Sequence, residues 1–328
     1  MVSPKRIGHA IFAALIIALA VPRTATAQDF PSRPVRFIVP YAAGGSGDVI
    51  TRLLGQRLTA IWGQQVVVEN KPGGGGLIGT ELAVRSPPDG YTLYMASDGP
   101  TTVAPSLYKT VPYDWERDLA PLSLMAIGYQ LLIVSPQLPV KTLADFVALA
   151  RQKPGALNYA SIGIGSTPHM GAEIFKAIAK VDILHVPYAG STAQAITALL
   201  GGEVSMFMVG TTPVIGQIQA GKLRGLAVTS PQRMEGLADV PTFTEAGMPD
   251  VDVKLWFAVM APSATPQPIL DKLHADIAQA TADPEYKGAL KTRGFEAVSS
   301  TPTQLAEFMN KDARRLQELI KDIKVQAQ

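Results

Sequence analysis

Short apolar runs alternate along the chain with segments whose apolar residues recur every three or four positions. The first run is Val35–Val39, and the segment after it carries apolar residues at Val49 and Leu53. Runs of the first kind predict buried strands, and the second spacing predicts helices that pack one face on a sheet. The alternation occupies residues 35–100 and again residues 157–213. This order predicts an α/β fold with largely parallel sheets.

Between and after these two series the pattern is less regular. Residues 101–120 contain two prolines and a polar run, so this stretch is predicted to be irregular. Two separate strands are predicted after it, at residues 122–127 and 130–135. The last third predicts one strand at residues 255–261 and three helices that end near residue 324.

The predicted strands of the first series end in glycine-rich or polar turns. In the first turn, residues 40–48, three glycines, a serine and an aspartate lie where the helix begins. N–H groups without intrahelical partners and the positive end of the helix dipole meet at such a point, and glycines let an anion approach the backbone. The turn therefore predicts half of a binding site for a small carboxylate. The candidate residues are Tyr41, Ala43, Gly44, Gly45, Ser46 and Asp48, joined by Ser97 and Asp98 after the third strand.

The residues of the first turn also have purely structural interpretations. Gly44 and Gly45 would serve a tight turn equally well, and Ser46 either caps the helix or donates to a ligand. Asp48 is expected to cap the helix, because a carboxylate beside an anion site repels the ligand. Its predicted role is to hold the turn in shape.

The second series repeats the same arrangement. Its strands lead into turns at residues 163–169, 187–192 and 210–213. In open α/β sheets, the turns at the carboxyl ends of the strands lie along one crevice, where ligands bind. Two α/β lobes with facing turns predict a protein that binds its ligand in a cleft, because a ligand that bridges the lobes favours closure.

The N-terminus predicts an export signal. Lys5 and Arg6 precede a short apolar run, and Ala25-Thr26-Ala27 forms a small-residue cleavage site before Gln28. These features are typical of a secretory signal peptide over residues 1–27; the alternative is an uncleaved membrane anchor. The apolar run is shorter than the ~20 residues that a membrane span needs. We therefore expect cleavage, which leaves 301 of the 328 residues.

Charge and cysteine content exclude several classes of protein. Loss of residues 1–27 removes three of the 29 basic side chains and none of the 27 acidic ones, so the mature net charge is −1. This balance gives no indication of a nucleic-acid partner. The sequence has no cysteine, which excludes disulfides, thiolate metal sites and lipid attachment to cysteine. Its length is sufficient for two domains with sizeable cores.

Two further features of the sequence could form binding sites. Residues 74–79 satisfy G-x-G-x-x-G after a strand, but Lys71-Pro72 intervenes, so a glycine-rich wall of the cleft or a plain loop is favoured over a dinucleotide site. The histidines beyond the signal are dispersed and lack metal-ligand spacing, so no metal and no cofactor are predicted. His169 is the one histidine in a candidate turn, where it either contacts the ligand or stabilises the helix start.

Several segments together resemble a known protein family, and they extend over essentially all of the predicted mature chain. They are FPSRPVR at 30–36, PYAAGGSGD at 40–48, VENKPGG at 68–74, PDGYTL at 88–93, GIGSTPH at 163–169, VPY at 186–188, Trp256-Phe257, Ala261-Pro262 and Thr265-Pro266. On these segments the chain resembles the Bug receptors, also called tripartite tricarboxylate transporter substrate-binding proteins of the TctC type.

The resemblance implies a two-domain fold like that of type II periplasmic binding proteins. Each domain is a mostly parallel sheet flanked by helices, with the ligand cleft between the domains. Domain 1 is expected at residues 28–128 plus 250–328, and domain 2 at residues 129–249. In the family a small organic acid is held largely by backbone amides and ordered waters. Carried over by position, this points to Tyr41 through Asp48 in the first domain, and to Gly163 through His169 and Tyr188 through Thr192 in the second. The candidate contacts of the second domain are Gly163, Gly165, Ser166, Thr167, His169, Tyr188, Gly190 and Ser191, with Thr211 added after the strand at residues 204–209.

The function that the resemblance implies is that of a periplasmic, monomeric receptor without enzymatic activity. It would capture a di- or tricarboxylic or aromatic acid and deliver it to the membrane subunits of a tripartite tricarboxylate transporter. The sequence departs from the family at one point. Many members place an aspartate after the strand near residues 204–209, associated with a ligand's amino group, whereas this chain has Val209-Gly210-Thr211. The departure favours a plain carboxylic acid over an amino acid.

Other interpretations remain open from the sequence. An exported hydrolase would use Ser46 or Ser166, although no G-x-S-x-G elbow is present. A ligand-sensing subunit of a signalling system would bind the same acid. Tyr41 and Tyr188 either stack on an aromatic ligand or pack in cores, and Trp256 is expected to pack in a core.

Overall fold

The computed structural model describes residues 30–323 of the chain. The predicted export signal, residues 1–27, lies outside the described residues, as does residue 324 at the end of the predicted last helix. Within the described part of the chain, no helix has the length and apolarity that a membrane crossing needs.

The described strands form one mixed sheet with the order β2-β1-β3-β9-β4-β7-β5-β6, while β8 and β10 pair with β4. Their bounds are β1 Val35–Val39, β2 Val66–Asn70, β3 Thr92–Ala96, β4 Leu119–Val134, β5 Asn158–Ser161, β6 Leu184–Pro187, β7 Met206–Gly210, β8 Arg224–Val228, β9 Lys254–Pro262 and β10 Phe295–Ala297. Parallel pairing is confined to β1 with β2 and β3, and to β5 with β6 and β7. We call β1, β2, β3 and β9 the first half-sheet, and β5 to β8 the second half-sheet.

Helices follow most of the strands. They are α1 Ser46–Trp62, α2 Leu77–Val84, α3 Ala104–Leu107, α4 Trp115–Asp118, α5 Leu143–Gln152, α6 Thr167–Ala179, α7 Thr192–Gly201, α8 Ile215–Gln219, α9 Gln267–Ala282, α10 Pro284–Lys291 and α11 Pro302–Ile323. A π-helical turn at Gly99–Val103 precedes α3. The strand–turn–helix units that the two apolar series predict are therefore present, and the predicted α/β class is confirmed.

Strand β4 corrects one prediction from the sequence. Residues 122–127 and 130–135 were expected as two strands, but one strand of 16 residues passes through both. Its residues 119–129 pair antiparallel with β9, and residues 130–134 pair with β7 and β8. Gly128 does not break the strand, because the absent side chain makes room for the ring of Phe295 on β10. The strand thereby joins the two half-sheets.

Residues 101–120 are also more ordered than the sequence predicted. The hydroxyl of Thr101 donates to the carbonyl oxygen of Ser97 at 2.6 Å, and the hydroxyl oxygen of Thr102 lies 3.2 Å from the carbonyl oxygen of Asp98. Asp114 caps α4 by accepting the N–H groups of its first turn. Pro105 is compatible with this structure because it lies in the first turn of α3, where the missing N–H would lack a partner anyway, and Pro112 lies in a bend before α4.

Each half-sheet packs its own apolar core. In the first, Trp256 and Met260 of β9 lie in one buried cluster with Leu305 and Met309 of α11. In the second, the ring centroids of Phe146 on α5 and Phe175 on α6 lie 6.1 Å apart. Burial of each such side chain stabilises the fold by about 1.5–3 kcal/mol. The two cores therefore hold the ends of the strands in place on either side of β4.

Thr229 links the two segments through which the chain passes between the half-sheets. One segment is β4, and the other is the connection from β8 to β9. The Thr229 hydroxyl accepts the N–H of Gln130 at 3.0 Å and donates to the carbonyl oxygen of Val253 at 2.6 Å. The Thr229 N–H donates to the carbonyl oxygen of Gln130 at 2.9 Å. These bonds fasten the two crossing segments side by side.

Gly128→Ala should destabilise the protein by about 1–3 kcal/mol, the usual cost of overpacking a core. A Cβ at this position would lie 2.2 Å from Cε1 of Phe295. The free energy of unfolding in urea measures the effect.

Gly216→Ala is the matched control, because no atom lies within 4 Å of a Cβ at that helical position. Alanine should be neutral or stabilise there by up to about 1 kcal/mol, since it is the better helix former. Equal stability of the two variants would contradict the described packing of β10 on β4.

Candidate functional site

A small cavity of about 40 Å³ lies between residues of the two half-sheets and the turns that follow their strands. The first side contributes Tyr41, Gly45, Ser46, Gly47, Asp48, Leu255 and Phe257, and the second contributes Ile162, Thr167, Pro168, Thr192, Val209 and Gly210. One water needs about 10–15 Å³ on this measure, so roughly three waters would fill the cavity. It lies at the carboxyl ends of β1, β5, β6 and β7, the edge at which open α/β sheets bind ligands.

Three helices begin at this cavity. Ser46 is the first residue of α1, Thr167 of α6 and Thr192 of α7, and all three residues line it. The first N–H groups of a helix have no partner inside the helix, and the helix dipole adds partial positive charge at the same end. No lysine or arginine is among the described residues of the lining. Peptide dipoles therefore supply the positive potential here.

The carboxylate of Asp48 is committed to the turn that carries α1. It accepts the N–H of Gly44 at 2.9 Å, Nε of Arg52 at 3.0 Å and Nδ2 of Asn70 at 2.9 Å. Asn70 also donates to the carbonyl oxygen of Tyr41 at 2.9 Å. The side chain of Asp48 is only 5% exposed, so its charge is balanced by these donors rather than by water. The predicted helix cap is wrong, because the N-cap of α1 is Gly45 and no side chain caps this helix. Asp48 lies inside the first turn of α1 and instead holds the preceding turn in shape through Gly44.

An apolar surface completes the cavity. Leu255 and Phe257 of β9 oppose Ile162 and Val209, and all four side chains are buried. The ring of Tyr41 is buried as well, and its hydroxyl pairs with that of Ser97 at 3.1 Å. Burial raises the pKa of Tyr41 above its ordinary value, with the nearby Asp98 adding to the effect, so the phenol stays neutral. A ligand in this space would meet helix N-termini and hydrocarbon on different sides.

Asp98 joins the two half-sheets directly behind the cavity. It follows β3, and its carboxyl oxygen accepts a short hydrogen bond from the hydroxyl of Thr167 at the start of α6. Asp98 is 4% exposed and Thr167 is 4% exposed, so water does not replace this contact. The bond connects a first-side element with a residue of the cavity lining.

The pKa of Asp98 is raised to about 7, chiefly by burial; the Thr167 hydrogen bond lowers it and the neighbouring Asp312 raises it. Asp312 lies on α11, where its carboxylate accepts from Thr102 at 3.1 Å, from Trp256 at 2.9 Å and from Arg315 at 3.0 Å. No cationic side chain donates to Asp98 among the described hydrogen bonds, so burial dominates its pKa. Its charge therefore changes near neutral pH.

The turn before α6 is held by its own side chains. The hydroxyl of Ser166 donates to the carbonyl oxygen of Gly163 at 2.6 Å, and Nδ1 of His169 accepts the N–H of Gly165 at 3.2 Å. His169 thus stabilises the helix start, the second of its two predicted interpretations. The hydroxyl of Ser166 is committed to a carbonyl oxygen, so the described geometry provides no base for a nucleophilic serine here.

A second histidine lies beside the first. The rings of His169 and His185 are 4.5 Å apart between centroids, and Nε2 of His185 lies 2.6 Å from the hydroxyl of Ser161. Burial lowers the pKa of His169 to about 4, with a further contribution from His185, and burial lowers the pKa of His185 to about 4. Both rings are therefore neutral near neutral pH, and His169 can accept from Gly165.

The two sides also meet through backbone contacts beyond the cavity. The N–H of Ala42 donates to the carbonyl oxygen of Gly190 at 3.1 Å. Gly75 has a φ of +65°, and a Cβ there would lie 2.2 Å from the carbonyl oxygen of Ile164. The glycine-rich segment at residues 73–76 therefore packs against the second side, although none of its residues lines the cavity. No side chain larger than hydrogen fits at Gly75.

The residues predicted from the sequence fall into two groups. Those that line the cavity are Tyr41, Gly45, Ser46, Asp48 and Thr167. The others surround the lining or lie apart from it: Ala43, Gly44, Ser97, Asp98, Gly163, Gly165, Ser166, His169, Tyr188, Gly190, Ser191 and Thr211. Ala43 and Gly44 are exposed, Ser191 caps α7, and the hydroxyl of Thr211 donates to the carbonyl oxygen of Arg293.

Some lining residues were not singled out from the sequence, although Gly47, Pro168 and Thr192 lie within turns that were predicted to form the site. They are Gly47, Ile162, Pro168, Thr192, Val209, Gly210, Leu255 and Phe257. The period-two alternation of β9 could have indicated Phe257, because Trp256 next to it lies in the apolar core with α11. Gly210 is required by contact, since a Cβ there would lie 2.5 Å from Oγ of Ser46. The contact between Gly210 and Ser46 joins two segments that are distant in the sequence, so no local pattern indicates it.

A larger depression of about 660 Å³ lies beside α11 and shares no lining residue with the cavity. Its lining includes Lys109 and Arg314 together with Asp114 and Glu116, so charges of both signs share one surface. Neighbouring charges of opposite sign weaken the attraction for an anion. We therefore place the candidate site at the smaller cavity.

Asp48→Asn should destabilise the protein by about 1–3 kcal/mol, because the amide cannot accept all the bonds that Gly44, Arg52 and Asn70 donate. The measurement is the free energy of unfolding in urea. Asp182→Asn, at an exposed position, is the control and should change stability by less than about 0.5 kcal/mol. A wild-type stability for Asp48→Asn would contradict the supporting role.

Comparison with known proteins gives consistent matches. The family model described as tripartite tricarboxylate transporter family receptor matches residues 50–325. BugT of Bordetella pertussis is 34% identical over 307 residues, which are 93% of this chain and 94% of that protein. The structure of the periplasmic binding protein BugD superposes with a TM-score of 0.87 at 33% identity, over 91% of this chain and 100% of that chain.

A third match was solved with a ligand. The structure of Rpa4515 of R. palustris with adipate has a TM-score of 0.87 at 32% identity, over 91% of this chain and 99% of that chain. These matches confirm the predicted resemblance to the Bug receptors and the fold of the periplasmic binding proteins. The chain belongs to the tripartite tricarboxylate transporter receptor family.

Proposed function

We propose that this protein is a periplasmic receptor that captures a small organic carboxylate at the cavity and delivers it to the membrane subunits of a tripartite tricarboxylate transporter. One observation carries the proposal: α1, α6 and α7, from both sides of the cavity, begin at the same small space. Helix N-termini bind anions through backbone N–H groups and the dipole together. The family and the adipate complex of Rpa4515 support the same ligand class.

The typical free energies of these interactions indicate which contacts must provide most of the affinity. The dipole of one helix stabilises a nearby anion by about 0.3–1 kcal/mol, rising to about 2 kcal/mol in a partly buried geometry. Micromolar binding needs about 8 kcal/mol, so three dipoles are not enough. Hydrogen bonds from N–H groups and from Ser46 and Thr192 would add to them, and so would burial of the ligand's hydrocarbon on Leu255 and Phe257. A diacid with a short carbon chain matches this pairing of charge and apolar surface.

Binding also requires the two sides to separate. A cavity of about 40 Å³ is too small for a dicarboxylate, so the ligand must enter an open form. We propose domains at residues 28–128 plus 250–328 and at residues 129–249, which rotate about the segments that Thr229 fastens together. A ligand that contacts both sides would favour the closed form, and the bond from Ala42 to Gly190 would close with it.

The lining favours acids without an amino group. The position after β7 at which many relatives are expected to place an aspartate is occupied by Gly210 and Thr211. Gly210 lies against Ser46, and the hydroxyl of Thr211 is bonded to the carbonyl oxygen of Arg293. The remaining carboxylate of the lining, Asp48, is committed to its donors. An ammonium group would therefore find no free anionic partner among the described lining residues.

A calorimetric titration with adipate, malate, citrate, benzoate and glutamate tests the proposal. We expect at least one plain acid to bind with a dissociation constant below about 10 μM, and glutamate to bind at least tenfold more weakly because its ammonium is unpaired. Glucose is the neutral control. Binding of glucose or glutamate without binding of any plain acid would contradict the proposal.

Gly45→Leu tests whether the acid binds at this cavity. A Cβ at residue 45 would lie 3.2 Å from Oγ1 of Thr192, so a leucine side chain must occupy the space between α1 and α7. We expect affinity to fall at least a hundredfold while the variant stays folded by circular dichroism.

Ala193→Leu is the control for this variant. Ala193 follows Thr192 on α7 but is exposed, so the added side chain should leave the affinity within about threefold of wild type. Unchanged affinity in Gly45→Leu would show that the acid binds elsewhere.

A further inference from the structure

A buried carboxyl group lies immediately behind a residue of the anion site. Asp98 accepts the hydroxyl hydrogen of Thr167, and Thr167 lines the cavity. An ionised carboxylate at this place would oppose the ligand, since like charges in a poorly hydrated site repel strongly. The proposed function therefore raises the question of how a second carboxylate can approach Asp98.

The hydroxyl of Thr167 has one hydrogen to donate. When Asp98 is ionised it can only accept, so the hydrogen of Thr167 points to Asp98 and the hydroxyl turns a lone pair toward the cavity. When Asp98 is neutral it can donate instead, and Thr167 accepts that bond. The hydrogen of Thr167 is then free for a carboxylate in the cavity. One proton on Asp98 thus reverses the bond between Asp98 and Thr167 and frees the hydroxyl hydrogen of Thr167 for a new bond to the ligand.

We propose that Asp98 is a positioning residue that takes up one proton from solvent when the carboxylate ligand binds, so that Asp98 donates to Thr167 and Thr167 donates to the ligand. The inference rests on the proposed function and adds its regulation: the receptor binds an acid anion together with a proton. No covalent bond changes, and the proton returns to solvent when the ligand leaves. Asp98 acts through Thr167 and does not itself touch the ligand.

The charged and titratable groups around Asp98 are consistent with this role. On α11, Asp312 opposes ionisation of Asp98 and Arg315 favours it, but Arg315 is bonded to Asp312. On the turn after β1, Tyr41 is neutral and bonded to Ser97. On α6 the hydroxyl of Thr167 contacts the carboxyl group, and the backbone N–H of Gly99 also donates to it and favours its ionised form. The pKa of Asp98, raised to about 7 by burial, allows the group to change its charge at neutral pH.

The affinity for the ligand is expected to depend on pH through the charge of Asp98. An anion bound nearby stabilises the neutral form, so it raises the pKa of Asp98 above its value in the free protein. Below about pH 7 the free protein already carries the proton, and the affinity is constant. Above about pH 7 each bound ligand must bring a proton with it, so the affinity falls up to about tenfold per pH unit.

Isothermal titration calorimetry with adipate tests the inference. If another acid of the panel binds more tightly than adipate, that acid is used instead. Both carboxylates of adipate are ionised from pH 6.5 to 8.5, so the ligand contributes no proton of its own. Titration in phosphate and in Tris, whose ionisation enthalpies differ, counts the protons exchanged. We expect close to one proton taken up per adipate at pH 8, and less than half of that at pH 6.5.

Asp98→Asn is the informative variant, because its amide donates to Thr167 as the neutral acid would. We expect no proton uptake, an affinity that does not change from pH 6.5 to 8.5, and binding at pH 8 at least as tight as wild type. Asp182→Asn removes an exposed carboxylate and should keep the wild-type proton count. Thr167→Val should bind more weakly than wild type and without proton uptake. Thr167→Ser, which keeps the hydroxyl, should have the wild-type affinity and proton uptake.

The outcomes separate the two proposals. Adipate binding at pH 8 without proton uptake would overturn this inference and leave the receptor function standing, as would an unchanged proton count in Asp98→Asn. If the wild-type protein binds no acid of the panel at any of these pH values, the proposed function fails, and this inference fails with it. The wild-type proton count decides the question even if Asp98→Asn does not fold.

Discussion

N–H groups without intrahelical partners at the starts of α1, α6 and α7 meet at one small space between the two half-sheets. A buried concentration of hydrogen-bond donors is unfavourable unless acceptors satisfy them, and water or a carboxylate can do so. The surrounding structure depends on this constraint. The glycines of the first turn admit an acceptor to the backbone, and Asp48 stiffens that turn with its charge directed to Gly44, Arg52 and Asn70.

The polar residues near the cavity fall into groups according to their hydrogen-bond partners. Asp48, Ser166 and His169 each have partners within their own turns, so they define shape. Ser46 and Thr192 line the cavity and have no described side-chain hydrogen bond to satisfy their hydroxyls, so a ligand can use them. Asp98 belongs to neither group. Its hydroxyl partner is itself a lining residue, so its charge is connected to whatever occupies the cavity.

Local patterns were sufficient to predict most of the strand–turn–helix units and the first turn of the site. The turn at residues 40–48 could be identified because glycine, serine and aspartate directly precede a helical apolar pattern. The continuation of β4 through Gly128 could not be predicted, because the ring that fills the space beside this glycine belongs to Phe295, far along the chain. The contacts of Gly210 with Ser46 and of Asp98 with Thr167 could not be predicted either. In each pair, the role of one residue depends on a partner that is distant in the sequence. Carry-over from the family indicated whole turns, but it did not separate lining residues from supporting ones.

The central claim is that peptide N–H groups at several helix starts hold the acid without a basic side chain. A crystal structure of the protein with its acid tests it most directly. The account predicts a carboxylate whose oxygens lie about 2.7–3.2 Å from backbone nitrogens in the first turns of at least two of α1, α6 and α7. A carboxylate paired with a lysine or arginine side chain, away from this cavity, would contradict it.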